Sequence, residues 1–166
     1  MINALKTLIF TVLVPGTVAI WIPYRILSPA GSRGAISIGA FRYFGFVVMT
    51  IGALIYFWCA WDFTFAGKGT PAPIDPPREL VVKGLYRYVR NPMYVGVLSV
   101  VLGQAIWFEA LRLFEYAGLV LVLFTTFVLI YEEPALKRKF GASYKQYCER
   151  VPRWIPRFRR SPVAHG

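Results

Sequence analysis

The sequence predicts an all-α integral membrane protein with about four transmembrane helices and a C-terminal amphipathic helix at the membrane interface. Three observations carry that prediction. Of 166 residues, 57% are apolar and only 16% are charged, where a soluble domain carries about 25% charged residues. The apolar residues gather in long runs rather than in short alternating stretches. The cations flank those runs, the distribution of a membrane protein and not of a soluble fold with a basic patch, so the net charge of +11 does not point to nucleic acid as a partner.

The first run, residues 8–27, has no charge until Arg25 and contains Pro15 and Pro23. A signal peptide has an apolar core of about 7–15 residues and a small-residue cleavage site; this run is longer and lacks such a site, so a retained helix is expected. The second run, residues 36–61, is interrupted only by Arg42 and ends at Asp62. The third, residues 94–108, is short for a span of about 20 residues. A few residues around Glu109 and Arg112 join it to the fourth, residues 113–131. This pair reads as a tight helical hairpin whose first helix starts inside the headgroup region. A fifth span or a re-entrant third helix is the alternative. With four spans, Lys6, the stretch from Lys68 to Arg90 and the tail from Lys137 share one side and hold 15 of the 19 cations. That bias places both termini in the cytoplasm and the protein in the inner, cytoplasmic membrane.

Residues 67–83 contain Pro71, Pro73, Pro76 and Pro77 and are expected to be extended and semi-rigid. After Pro134 the apolar residues Leu136, Phe140, Tyr144, Tyr147 and Val151 recur at helical spacing among Lys137, Arg138, Lys139, Lys145 and Arg150. That pattern is an interfacial helix drawn to anionic lipid. The chain divides into an N-terminal helix pair, residues 1–66, and a region carrying the chemistry, residues 67–166, within one structural unit without internal repeats.

Several chemistries are excluded by residue supply. Cys59 and Cys148 form no C-x-x-C pair, and the one histidine, His165, sits beside the C-terminus; neither a metal site nor a Ser-His-Asp triad is expected. Gly67-Lys-Gly-Thr70 lacks phosphate-loop spacing and precedes prolines instead of a helix. The strongest constellation is Gly84-Leu-Tyr-Arg-Tyr-Val-Arg-Asn-Pro-Met-Tyr-Val-Gly96. It crowds Tyr86, Tyr88, Tyr94, Arg87, Arg90 and Asn91 at a helix start, with Asn91 suited to the cap and Pro92 to the first turn. Tyr and Arg also serve as interfacial anchors, but a helix start offers ligand-facing N–H groups as well. Next come Glu132 and Glu133 at the end of the fourth run. Carboxylates at a span edge are expensive unless paired, so they either hold a cationic ligand group or pair with Lys137 or Arg138 one helical turn on. The third is Val151-Pro-Arg-Trp-Ile-Pro-Arg157 with Arg159 and Arg160, where Arg153 suits a phosphate or carboxylate and the distal pair a lipid surface.

These residues resemble a known family. Gly69-Thr-Pro-Ala-Pro73, Leu80-Val-Val-Lys-Gly-Leu-Tyr-Arg-Tyr-Val-Arg-Asn-Pro-Met-Tyr94, Glu132-Glu133 and Phe140-Gly-x-x-Tyr144-x-x-Tyr147 are similar to the isoprenylcysteine carboxyl methyltransferase and phospholipid methyltransferase superfamily, over residues 67–157. Those are small integral membrane enzymes that use S-adenosylmethionine. The resemblance implies a cytoplasmic-side cofactor pocket lined by Leu80, Val81, Tyr86, Asn91, Pro92 and Tyr94, with Glu132 receiving the amino-acid end of S-adenosylmethionine. It implies a lipid or isoprenoid amphiphile as methyl acceptor and no metal. Two departures bear on the acceptor: Asn91 stands where carboxyl-methylating members have His, and Val128 where they have an Arg before the Glu pair. O-methylation of isoprenylcysteine and N-methylation of a phospholipid therefore both stay open. An ammonium acceptor must first lose a proton, a step in which Glu133 or Tyr86 would assist, while Arg90 or Arg153 would orient an anionic group.

Two other classes fit parts of the pattern. Tyr144-x-x-Tyr-Cys-x-x-Val-Pro-x-x-Ile-Pro156 is also similar to the end of NADPH-dependent membrane sterol reductases. A non-catalytic lipid-binding membrane protein would use the same Tyr and Arg residues as anchors.

Overall fold

The computed structural model describes residues 2–28, 36–65, 80 and 82–156, and every regular element among them is helical. Three stretches are long and apolar enough to cross a membrane: Thr7–Leu27, Gly39–Asp62 and Leu111–Arg150. A shorter apolar helix, Pro92–Trp107, packs among them. We label the α-helices α1 (Ile2–Leu13), α2 (Ile22–Leu27), α3 (Arg42–Phe65), α4 (Pro92–Trp107), α5 (Leu111–Phe127) and α6 (Glu133–Arg150).

The prolines of the first run do not end its helix. A wide π-helical turn, Thr17–Trp21, links α1 to α2, with the Ile22 N–H reaching back to the Thr17 carbonyl. Pro23 follows at once. A proline lacks an N–H and its ring crowds the carbonyl one turn back, so a wide turn relieves the clash but leaves carbonyls unbonded. Here two side chains take them. Gln104 Nε2 donates to the Ala19 carbonyl at 2.7 Å, and the Tyr116 hydroxyl donates to the Val18 carbonyl at 2.9 Å.

The pair α3–α4 makes the most extensive helix contact. Its seam is built from glycine: Gly52 faces Gly96, and Gly45 faces Gly103. A Cβ on Gly52 would lie 2.7 Å from the Gly96 carbonyl oxygen, and one on Gly103 would lie 2.6 Å from that of Gly45. The pairing order is antiparallel, as an up–down bundle requires. Inside a bilayer, where lipid is as apolar as leucine, such backbone contact is a main source of helix association. The lipid-facing sides of α3 and α5 carry exposed Phe44, Leu54, Phe57, Leu119 and Leu123, as expected where hydrocarbon replaces water. Around the seam, Ala19, Tyr56, Ala60, Val97, Val101 and Ala117 form the main core cluster.

The hairpin between α4 and α5 is as tight as the sequence suggests. Glu109 adopts φ +54°, and the Ala110 N–H reaches back to Ala105. Glycine is the usual residue at such a helix end, and a side chain there costs about 1–2 kcal/mol. Glu109 offsets this by holding the entry to α3: its carbonyl accepts from the Ile36 N–H at 3.1 Å and its carboxylate from the Ile38 N–H at 3.0 Å.

The fourth run continues into α6 through a second wide turn, Val128–Glu132, again followed by a proline, Pro134. The expected amphipathic helix is present and breaks its regular course at Gly141, φ +51°. Its stripe of Tyr144, Tyr147 and Val151 is buried against Leu80, Leu136 and Phe140, so the face that the spacing assigned to lipid packs on the protein itself.

Candidate active site

The start of α4, the ends of α3 and α5, and α6 meet at one end of the bundle. Residues 84–94 form the centre. Gly84–Arg87 is a single 3-10 turn, entered through Gly84 at φ +54°. It splits the predicted cluster. Tyr86 turns inward and is buried, while Arg87 and Tyr88 stay exposed. The Tyr86 carbonyl accepts from the Tyr147 hydroxyl at 2.8 Å, and its own hydroxyl pairs with the Cys59 thiol. Burial, then the nearby Cys59 and Glu132, push the Tyr86 phenol well above its ordinary range. That shift favours the protonated hydroxyl, the form paired with Cys59.

Asn91 occupies the N-cap position of α4, yet its side chain makes no cap. It is buried, and its Nδ2 donates to the Arg153 carbonyl at 3.2 Å. One residue earlier, the Arg90 N–H donates to the Pro152 carbonyl at 2.9 Å. These two bonds strap the segment after α6 across the start of α4. Pro92 is buried in the first turn, where its missing N–H has no consequence. Leu80 packs under α6 in the Tyr144 cluster, and Val81 lies outside the described residues.

The two adjacent carboxylates have different surroundings. Glu133 is 7% exposed and fully paired. Arg153 grips it with Nε at 2.7 Å and Nη2 at 3.2 Å, and Arg90 Nη1 adds a contact at 3.1 Å. Arg90 Nη1 also reaches Cys148 Sγ at 2.9 Å. The hydrogen bond to Glu133 raises the Arg153 pKa. These long-range partners join Lys137, which the helical spacing suggested and whose charge also acts on Glu133 from an exposed position; Arg138 is exposed as well. A carboxylate held by two guanidiniums is a poor proton acceptor, so the geometry speaks against Glu133 as a general base. The same bonds occupy the two arginines assigned to an anionic group, although the buried Arg90 Nε has no partner among the described residues and the cluster keeps one surplus positive charge.

Glu132 is the open one. It accepts one neutral hydrogen bond, from the Tyr94 hydroxyl at 2.9 Å, and no described cation pairs with it. Tyr94 is held between Phe124, with ring centroids 4.8 Å apart, and Trp154 at 6.5 Å. The wide turn at 128–132 delivers both carboxylates to the inside of the bundle, and π-turns are frequent at functional sites. No group of His, Cys, Asp and Glu among the described residues is arranged to hold a metal ion.

A family model described as phospholipid methyltransferase matches residues 41–143. The chain belongs to that family. Its members are membrane methyltransferases that depend on S-adenosylmethionine, and this chain is an integral membrane protein. The match takes in Arg90, Tyr94, Glu132 and Glu133 and stops before Arg153. Among relatives, the chain is 41% identical over 80 residues to a protein-S-isoprenylcysteine O-methyltransferase of Schizosaccharomyces pombe, covering 46% of this chain and 33% of that one. It is 34% identical over 79 residues to protein-S-isoprenylcysteine O-methyltransferase B of Arabidopsis thaliana, covering 47% and 40%. It is also 33% identical over 100 residues to a delta(14)-sterol reductase of Mus musculus, covering 57% and 23%. The chain thus matches well under half the length of each of these relatives. No solved structure matches it.

Proposed function

We propose that the protein transfers a methyl group from S-adenosylmethionine to a lipid-like or isoprenoid amphiphile that reaches the site from the bilayer. The observation that carries this reading is Glu132: a carboxylate at the edge of a span, with one neutral donor and no cation among the described residues. Such a group calls for a positive partner, and the ammonium of the cofactor's amino-acid end has the right charge. When bound, the cofactor supplies a methyl group on a positively charged sulfur, open to in-line attack. The chain's own residues bind, orient and exclude water. Tyr94 holds Glu132 in place, and Tyr86 keeps a protonated hydroxyl at the inner wall. The Arg90–Glu133–Arg153 cluster ties the strap of residues 151–154 over the start of α4, with Trp154 against Tyr94 as its cover. Positioning and exclusion of water supply most of the catalysis that methyl transfer needs. The cation-rich end that carries this site is assigned to the cytoplasm, with both termini.

The test is incubation of the purified protein with labelled S-adenosylmethionine, total membrane lipids and a prenylated cysteine, followed by identification of the labelled product. Label on any lipid or isoprenoid supports the reading; no label on any acceptor overturns it. A second reading, reduction by NADPH, is favoured by the match to the sterol reductase. Calorimetric titration in detergent with each cofactor separates the two.

A further inference from the structure

The candidate site uses the charges at one end of the bundle, while the other end holds a cation with no anion to answer it. Arg42 opens α3, directly after the 3-10 turn Gly39–Phe41. Asp62, beside the site, lies in the last turn of the same helix, so the two stand about 30 Å apart at 1.5 Å per residue. That is the thickness of a hydrocarbon core, which puts Arg42 at the headgroup layer opposite the site. Its guanidinium lies 5.5 Å from the centroid of the Trp107 ring and 6.0 Å from that of Tyr43. Tyr43 and Phe46 meet the Trp107 ring at 5.7 and 5.9 Å, and Phe41 meets Phe44 at 5.4 Å. Arg42 Nε is enclosed and has no hydrogen-bond acceptor among the described residues. No described carboxylate pairs with Arg42. Glu109, two residues beyond Trp107, turns its carboxylate to the Ile38 N–H instead. Arg25 and Arg112, toward the same membrane face, are exposed, whereas Arg42 is half-buried against its rings.

We infer that Arg42, held by the Trp107 and Tyr43 rings, binds the phosphate of a phospholipid in the leaflet opposite the candidate site. A cation at a span edge needs a counter-charge, and the planar fork of a guanidinium suits two phosphate oxygens at once. The aromatic faces hold the fork in place before the lipid arrives, which lowers the ordering cost of binding. A lipid fits better than a free anion because Phe41, Tyr43, Phe44 and Phe46 around Arg42 are exposed. Those rings offer apolar surface that acyl chains cover and an aqueous ion does not. The bound headgroup also acts on packing. Trp107 sits at the far end of the glycine seam, where a Cβ on Gly45 would lie 2.6 Å from the Trp107 backbone nitrogen. A phosphate on Arg42 of α3, beside Trp107 of α4, clamps the two helices at the end away from the site. It does not depend on methyl transfer.

The experiment uses the full chain in a maltoside detergent, titrated separately with phosphatidylcholine and with a glycosyl diacylglycerol that has the same chains and no phosphate. Phosphatidylcholine has no net charge, so the exposed cations of α6 contribute little to its binding. Retained lipid is counted by native mass spectrometry, and the unfolding midpoint is followed on heating. The expected result is preferential retention of phosphatidylcholine, which raises the midpoint. Its affinity falls about tenfold in Arg42→Gln, as for loss of a charge-assisted contact, and by a smaller factor in Arg42→Lys, which keeps the charge without the fork. Arg112→Gln, which removes an exposed cation at the same face, leaves the affinity at the wild-type value. A cooperative unfolding transition shows that each variant is folded, and Arg42→Lys carries the test where Arg42→Gln does not fold. Equal affinity for the two lipids, wild-type affinity in the folded Arg42 variants, or an equal loss in Arg112→Gln overturns the assignment. Inorganic phosphate that reproduces the rise in midpoint without lipid overturns the lipid as its source.

Discussion

The two wide turns of the molecule share one construction and differ in use. Each is a five-residue π-segment whose following N–H reaches back five residues, Ile22 to Thr17 and Glu133 to Val128, and each precedes a proline. At the first, the groups released by proline are the story: the carbonyls of Val18 and Ala19 are taken by Tyr116 and Gln104, two donors from neighbouring helices. At the second, the side chains are the story: Glu132 and Glu133 leave the helix on its inner side toward Tyr94 and two arginines. The same backbone device closes a packing seam in one place and opens a site in the other. Polar groups satisfied by the protein mark structure, and polar groups left wanting mark function.

Substitutions break this comparison in graded ways. The largest effect is expected at Glu133. Glu133→Leu leaves the buried Arg90 and the one-third-exposed Arg153 without their counter-charge and should cost about 3 kcal/mol of stability, measured by thermal unfolding in detergent; stability unchanged from wild type would show that the strap is held otherwise. Glu132→Gln keeps the shape and the Tyr94 contact but removes the charge. Cofactor affinity should fall about 10–100-fold, by calorimetry, with the unfolding temperature unaltered. At the other turn the balance reverses. Gln104→Leu orphans the Ala19 carbonyl and should lower stability by about 1–3 kcal/mol, with cofactor affinity unchanged. The smallest effect sharpens the reason. Pro23→Ala restores the missing N–H, so in that background Gln104→Leu should become nearly neutral, within about 0.5 kcal/mol. If the two losses simply add, proline is not the cause of the vacancy.

The four helices were legible in the sequence because lipid demands long apolar runs, and the hairpin because only a few residues separate residues 94–108 from the fourth run. The wide turns were not. At Pro15, Pro23 and Pro134 a chain pattern shows the lost N–H but not the donor that a distant helix supplies. Gln104 and Tyr116 carried the one available signal: an amide and a hydroxyl inside apolar runs, near a proline that needs them. In the site, residue types were readable and pairings were not. Glu133, Arg90 and Arg153 stood out as charges in a chain with few acids, yet nothing in their spacing says that they bind one another. Asn91 looked like a cap by position, but its amide reaches a carbonyl 62 residues later. Arg42 passed as an interruption near the start of a run. What distinguishes it is the Trp107 ring beside its guanidinium, a contact that only the folded chain creates.

The length of α4 has a consequence beyond packing. Sixteen residues at 1.5 Å each make a helix of about 24 Å, and a typical hydrocarbon core is about 30 Å thick. The glycine seam locks α4 to the longer α3, so the bundle cannot cure this mismatch by sliding one helix along the other. The bilayer must thin locally around the start of α4, or the polar groups beside Pro92 must sit below the headgroup plane. The proposed methyl transfer should therefore track membrane thickness, rising in short-chain bilayers and falling in long-chain ones, so that the lipid matrix acts on the protein as a mechanical setting as well as a solvent.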